Sequence, residues 1–234
     1  MVLIANSTMQ YRFLSTEQNR LSIEMIPDGI VTLRAADSRS ERRQVFIDAA
    51  RTLFFALGYA GTAMSTVATK VGGSKTTLWT YFPSKQDLFA AVVDDIVERY
   101  GSALEVDLQP QRDVEDALRA FGAAMMATVL SPPILDLHRL VIGEAGRFPE
   151  IGQLFYERGA KRGKAKLATF IASAMSQGRL RNGDPMVAAQ HFAFMCQSGY
   201  HQLCLFGVTA PIVGADVASD VDAAIDAFMR AWKI

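Results

Sequence analysis

The stretch Gly72-Gly73-Ser74-Lys75-Thr76-Thr77-Leu78-Trp79-Thr80-Tyr81-Phe82-Pro83-Ser84-Lys85 restricts the fold more than any other part of this chain. Two glycines end whatever helix comes before, and Ser74 can cap the next one. Pro83 stops that helix, and Ser84 with Asp87 has the spacing of a capping box for another. Only a helix of about two turns fits between these signals. Leu78 and Phe82, four residues apart, give it an inner face, which leaves Lys75, Thr76, Thr77, Trp79, Thr80 and Tyr81 for the rest. A helix this short cannot bury both Trp79 and Tyr81.

The flanking sequence supplies the partners. Ser38 and Glu41 have capping-box spacing, and Phe46, Ala49, Ala50, Leu53, Phe54 and Leu57 follow at helical intervals up to Gly58. Thr62 is placed to cap a second short helix, which carries Met64, Val67, Ala68 and Val71 inward and runs to Gly72-Gly73. After Pro83 a fourth helix runs to about Gly101, burying Leu88, Phe89, Val92, Val93, Ile96 and Val97. Beyond Pro110 the pattern stays helical: Val114 to Leu130, Leu135 to Gly146, Glu150 to Gln177 with a break near Gly159 or Gly163, Pro185 to Phe206, and Asp216 to Trp232. Nothing alternates with a strand period. The expected fold is all-α: an N-terminal three-helix helix-turn-helix domain (38–85), then a C-terminal helical domain (86–234). Residues 1–37 show no sustained period and read as a poorly ordered leader, or as upstream sequence with the start nearer Met25.

Net charge is zero over 234 residues, yet its distribution is uneven. Residues 39–85 hold Arg39, Arg42, Arg43, Arg51, Lys70, Lys75 and Lys85 against Glu41 and Asp48, a net +5 that the remainder balances. A basic segment on an acidic remainder suits a polyanion partner, although chance unevenness gives the same count. Two short helices joined by a glycine turn, the second capped and amphipathic, meet the needs of a helix-turn-helix. Such a helix enters a major groove about 12 Å wide, where threonines serve phosphates or thymine methyls and Lys75 serves a phosphate or guanine. The plainer alternative is an αα-corner with Trp79 and Tyr81 packed on a neighbour.

The same segment resembles the DNA-binding domain of the TetR/AcrR family of transcriptional regulators. The resemblance rests on Phe46-Ile47, Ala49-Ala50, Leu53-Phe54, Gly58-Tyr59, Thr62, Val67-Ala68, Gly72, Ser74, Leu78, Phe82, Ser84-Lys85 and Leu88-Phe89, about 50 residues without a gap. It implies that Thr62 caps the second helix and approaches the backbone of double-stranded DNA. Lys75, Thr76 and Thr77 would face the groove, Trp79 would take the place of a family tyrosine, and Tyr81 and Lys85 would touch phosphates. Thr80 shares the outward face. The chain departs from the family pattern at Ala63, where a hydroxyl is frequent, at Gly73, where valine is usual, and at Trp79 itself.

The run from His138 to Glu150, with Phe155-Tyr156-Glu157, resembles the C-terminal domains of the AefR-like subgroup. That implies a domain that dimerises and encloses a small apolar or amphipathic effector. Phe121, Met125, Met126, Leu140, Phe170, Met175, Phe192 and Met195 are pocket candidates, with Glu144 as the polar one; each also reads as plain core or as a surface ion-pair member. The last two helices carry Ala188, Phe192, Met195, Tyr200, Leu203, Ala224, Phe228 and Trp232, more apolar surface than one neighbour covers, and the family pairs these helices in a homodimer. A dimer reads a near-palindromic operator.

Catalysis has no support: His138, His191 and His201 are scattered, neither cysteine has a metal-type partner, and no phosphate loop is present. No cofactor is expected. Cys196 and Cys204, eight residues apart in one expected helix, would stand about 12 Å apart, too far for a mutual disulfide and consistent with a cytoplasmic protein. Apolar runs fall short of the roughly 20 residues of a membrane span, and Met1-Val2-Leu3-Ile4-Ala5 lacks the form of a secretory signal. The expectation is a DNA-binding repressor without enzymatic activity. The rival is a helical small-molecule or lipid-binding protein whose helix-turn-helix is vestigial, supported by the departures at Ala63 and Gly73.

Overall fold

Phe46, Ile47, Ala50 and Phe54 recur at helical spacing, and all are buried along one side of α1 (Ser38–Gly61). The computed structural model describes residues 22–25, 31–34, 38–211 and 215–234. Within α1, Gly58 adopts φ 77°, a left-handed value that ends the regular helix where the sequence predicts. Then follow α2 (Met64–Lys70), α3 (Lys75–Tyr81) and α4 (Lys85–Tyr100). Gly72, also at positive φ, makes the turn between α2 and α3. Phe54, Tyr59 and Phe89 meet in edge-to-face and stacked pairs with centroids 5.3–5.7 Å apart, tying α1 to α4.

The rest of the body comprises α5 (Val114–Val129), α6 (Pro132–Glu144), α7 (Pro149–Phe155), α8 (Lys161–Ser176), α9 (Pro185–Gln197), α10 (Tyr200–Leu205) and α11 (Ala215–Trp232). Two apolar cores form. One lies among α5, α8, α9 and α11. The other joins α1–α4 to Ile134, Leu137 and Val141 of α6 and Ile151 of α7. The boundary expected at residue 85 therefore crosses a continuous core, because α4 and α6 bury their apolar sides against α1.

The helical class holds, with three differences in detail. A two-stranded antiparallel hairpin, β1 (Ser22–Met25) and β2 (Val31–Arg34), lies where no strand period was read, with Ile23 opposite Leu33. The break expected near Gly159 or Gly163 in the Glu150 to Gln177 helix is a π-helical turn at Tyr156–Ala160, which contains Gly159. The helix expected from Pro185 to Phe206 is broken at Gly199, whose backbone (φ −104°, ψ −106°) is not helical. Its Cα faces the Asp220 carboxylate so closely that a Cβ would lie 2.7 Å away, and Asp220 accepts the Tyr200 N–H at 2.8 Å. Finally, Thr62 does not cap α2. Ala63 holds that position without a side-chain hydrogen bond, while the Thr62 hydroxyl donates back to the Gly58 carbonyl at 2.8 Å.

Candidate nucleic-acid interface and effector cavity

Ser74 accepts the Thr77 N–H at 3.0 Å, the N-cap that the sequence predicts for α3. The two hydroxyls also meet at 2.8 Å, so Thr77 is committed to the cap rather than extended outward. Leu78 and Phe82 are buried and seat the helix. Lys75, Thr76, Thr80 and Trp79 are exposed on the opposite side, Trp79 at 48%. Tyr81 is half-buried against Phe46, with the Arg39 guanidinium 6.0 Å from its ring. At Gly73 a Cβ would touch the Phe46 ring at 3.4 Å, so glycine forgoes a contact that a larger residue makes.

Two expected DNA contacts lie elsewhere. Thr62 is 1% exposed, and its hydroxyl is occupied. Lys85 donates to the carbonyls of Tyr59 (2.8 Å) and Thr62 (3.2 Å) with its ammonium 4.4 Å from the Tyr59 ring, so it binds the head together internally. Arg51 is likewise spent, on Asp95 and Asp48. The start of α1 supplies basic groups that the sequence marks only as part of its local charge excess. Arg43 lies 5.1 Å from the Phe82 ring, Arg42 approaches Gly73, and Arg39 stands over Tyr81. The charge count of residues 39–85 contained this signal, but only folding brings the arginines around α3.

A cavity of about 220 Å³ opens between α4, α5, α6, α8 and α9. Among the residues expected to line it, Phe121 and Met125 do. Met126, Phe170, Met175 and Phe192 are core, Met195 packs beside that core, and Leu140 packs against the head. Glu144 is away from the cavity: its carboxylate accepts the Tyr59 and Ala60 N–H groups, each at 2.7 Å. The polar lining comes instead from Thr128, His138, Lys164 and Gln197. The His138 Nδ1 is buried without a partner, and burial, aided by nearby His201, pulls the imidazole pKa down to about 4. A buried polar atom lining an apolar space is what a ligand's hydrogen bond satisfies.

Ala188, Phe192, Ala224 and Phe228, expected at a subunit interface, are buried inside the chain itself. Exposed large apolar residues from α9 onward include Val187, Phe194 (61% exposed), Leu203, Phe206 (74%) and Val208. Both cysteines are free and buried, and burial pushes the Cys196 thiol up to about 12, so it is inert. Among the described residues no single helix is long and apolar enough to cross a membrane.

Comparison with known proteins agrees with this arrangement. Residues 46–92 match the bacterial regulatory proteins of the tetR family, and residues 116–234 match the AefR-like transcriptional repressor, C-terminal domain. Among solved structures, the flavonoid-responsive regulator FrrA is 29% identical with a TM-score of 0.71, over 83% of this chain and 98% of its own. A TetR-family transcriptional regulator from Mesorhizobium loti is 27% identical with a TM-score of 0.70, over 85% of this chain and 100% of its own. Curated relatives include the transcriptional repressor ComR (32% identity over 36% of this chain) and the regulator RutR (31% over 42%), both of Escherichia coli. The chain spans 40% and 53% of those two relatives' own lengths. The capped reading helix, the shared core behind it and these two matches together make the chain a member of the TetR family of bacterial transcriptional regulators, with an AefR-like C-terminal domain.

Proposed function

We propose that this protein is a repressor that binds a near-palindromic operator as a homodimer and leaves it when a small effector enters the cavity. The observation that carries the reading is α3 itself. It is fixed by Ser74, Leu78 and Phe82, and it offers Lys75, Thr76, Thr80 and an exposed Trp79 beside Arg39, Arg42 and Arg43. An indole exposed on a short basic helix has little use in a folding role and a clear one against base edges or sugar. Val187 and Phe194 on α9, with exposed alanines 218, 223 and 227 on α11, favour pairing of these two helices with a second copy. The relative FrrA is named flavonoid-responsive, which agrees with a small-molecule effector here.

Fluorescence anisotropy with DNA from the region beside the gene tests the reading. Expected is saturable binding at an inverted repeat, steeply weakened by salt, and lost together in a Lys75→Ala, Trp79→Ala variant. Equal affinity for random duplex, unchanged in that variant, would favour the effector-binding protein with a vestigial head.

A further inference from the structure

The half-buried cations of the described residues are matched to oxygen atoms with one exception. Arg51 has Asp95, Arg158 has Asp94, Lys85 and Arg179 each have two carbonyls, and Lys166 donates to the Leu104 carbonyl. Lys164, half-buried on α8 and lining the cavity, has only aromatic faces. Its ammonium lies 4.7 Å from the Phe194 ring and 5.8 Å from that of Tyr156. The acid two turns earlier, Glu157, binds Lys161. Burial pulls the Lys164 pKa below its ordinary value, with no carboxylate opposing the shift.

A partly desolvated ammonium without a counter-charge is costly, and a carboxylate delivered by a ligand relieves that cost. The rest of the wall is apolar, with Phe121, Met125, Ile134 and Phe155 behind the lysine. His138 is neutral near pH 7 and adds a hydrogen-bonding atom but no charge. The volume, about 220 Å³, lies below the roughly 300–1,000 Å³ of pockets for drug-sized ligands, so the tail must be compact.

We propose that the effector is a small amphipathic organic acid, its carboxylate on the Lys164 ammonium and its apolar tail among Phe121, Met125 and Ile134. This inference rests on the reading of the cavity as the effector site. Titration calorimetry of the full chain with octanoate, octanol and octylamine, which share one tail, tests it. Octanoate should bind about tenfold more tightly than octanol, and octylamine weakest. In Lys164→Met and Lys164→Gln, checked for an unchanged melting transition, octanoate should fall to the octanol level while octanol keeps its affinity. Equal binding of octanoate and octanol, or acid preference surviving both variants, overturns the proposal. A neutral apolar dye, N-phenylnaphthylamine, separates the two readings. If octanol displaces it and octanoate shows no advantage, the ligand class is wrong and the effector site stands; if neither the dye nor any probe binds, both fall.

Discussion

The Glu144 carboxylate on α6 accepts the backbone N–H of Tyr59 at 2.7 Å, across 85 residues of sequence, and the Ala60 N–H at the same distance. Those amides belong to the turn after Gly58, whose Tyr59 carbonyl holds Lys85 at the start of α4. One acid thus fastens the helix that carries Ile134 and His138 of the cavity to the head that carries α3. Gly58 permits the approach, since a Cβ there would lie 2.2 Å from a Glu144 oxygen.

Glutamine at this place can accept only one of the two bonds and would turn an N–H toward the other amide. Glu144→Gln is expected to lower stability by about 1–3 kcal/mol in urea denaturation. It should also blunt effector-driven release from DNA more than it alters DNA affinity in the absence of effector. Anisotropy with and without effector reads both quantities.

Leu78 and Trp79 are neighbours in sequence with opposite roles. Leu78→Ala removes a buried anchor and should cost about 2–5 kcal/mol. Trp79→Ala should change stability by less than about 0.5 kcal/mol, while weakening operator binding at least tenfold, about 1.4 kcal/mol. Denaturation and anisotropy on the same two variants give the comparison.

Ser74 invites a separation of fold from binding. Ser74→Ala loses the cap and about 1 kcal/mol of stability. Ser74→Asp keeps a capping oxygen and stability, yet sets a negative charge on the face proposed to meet phosphates. DNA affinity of the aspartate variant should drop most at low salt; affinity equal to wild type at every salt would count against this face.

Gly122 on α5 faces both α9 and α11. A Cβ there would meet Val221 at 2.8 Å and Phe192 at 3.2 Å. Gly122→Leu gains about 1 kcal/mol of helix propensity and should still lose about 1–3 kcal/mol net through overpacking. A calorimetric melt is sufficient to measure it.

His138 makes the fold acid-sensitive. Its pKa is lowered from 6.5 to about 4 by burial and by His201 on α10, so the unfolded chain binds the proton more readily. The stabilising contribution is complete above pH 6.5 and is lost as pH falls from 6.5 toward about 4. The full loss is of order 3 kcal/mol at this site, and His201, lowered in the same direction, adds to it. Stability of His138→Leu across this range should be flatter than that of wild type.

Where a signal was local, the sequence expressed it. The Ser74 and Ser84 caps, the Gly58 break and the seating of α3 by Leu78 and Phe82 involve residues within one or two turns, where spacing alone fixes geometry. Phe121 and Met125 were legible as cavity candidates because an apolar stripe points inward, but so did Phe170 and Phe192, which are core. Periodicity distinguishes inside from outside; it does not distinguish a filled interior from a hollow one.

The sequence by itself determined a helical body from residue 38 onward with a capped, basic reading helix, because propensity, capping and binary pattern act over a few residues. Only the tertiary structure decided that Thr62 and Lys85 serve the head internally, that Glu144 grips the Tyr59 amide, and that Lys164 is left without a counter-ion beside an apolar cavity. Each of those outcomes depends on which distant oxygen or ring the packed helices bring within a few ångströms, and one-dimensional spacing does not encode that distance.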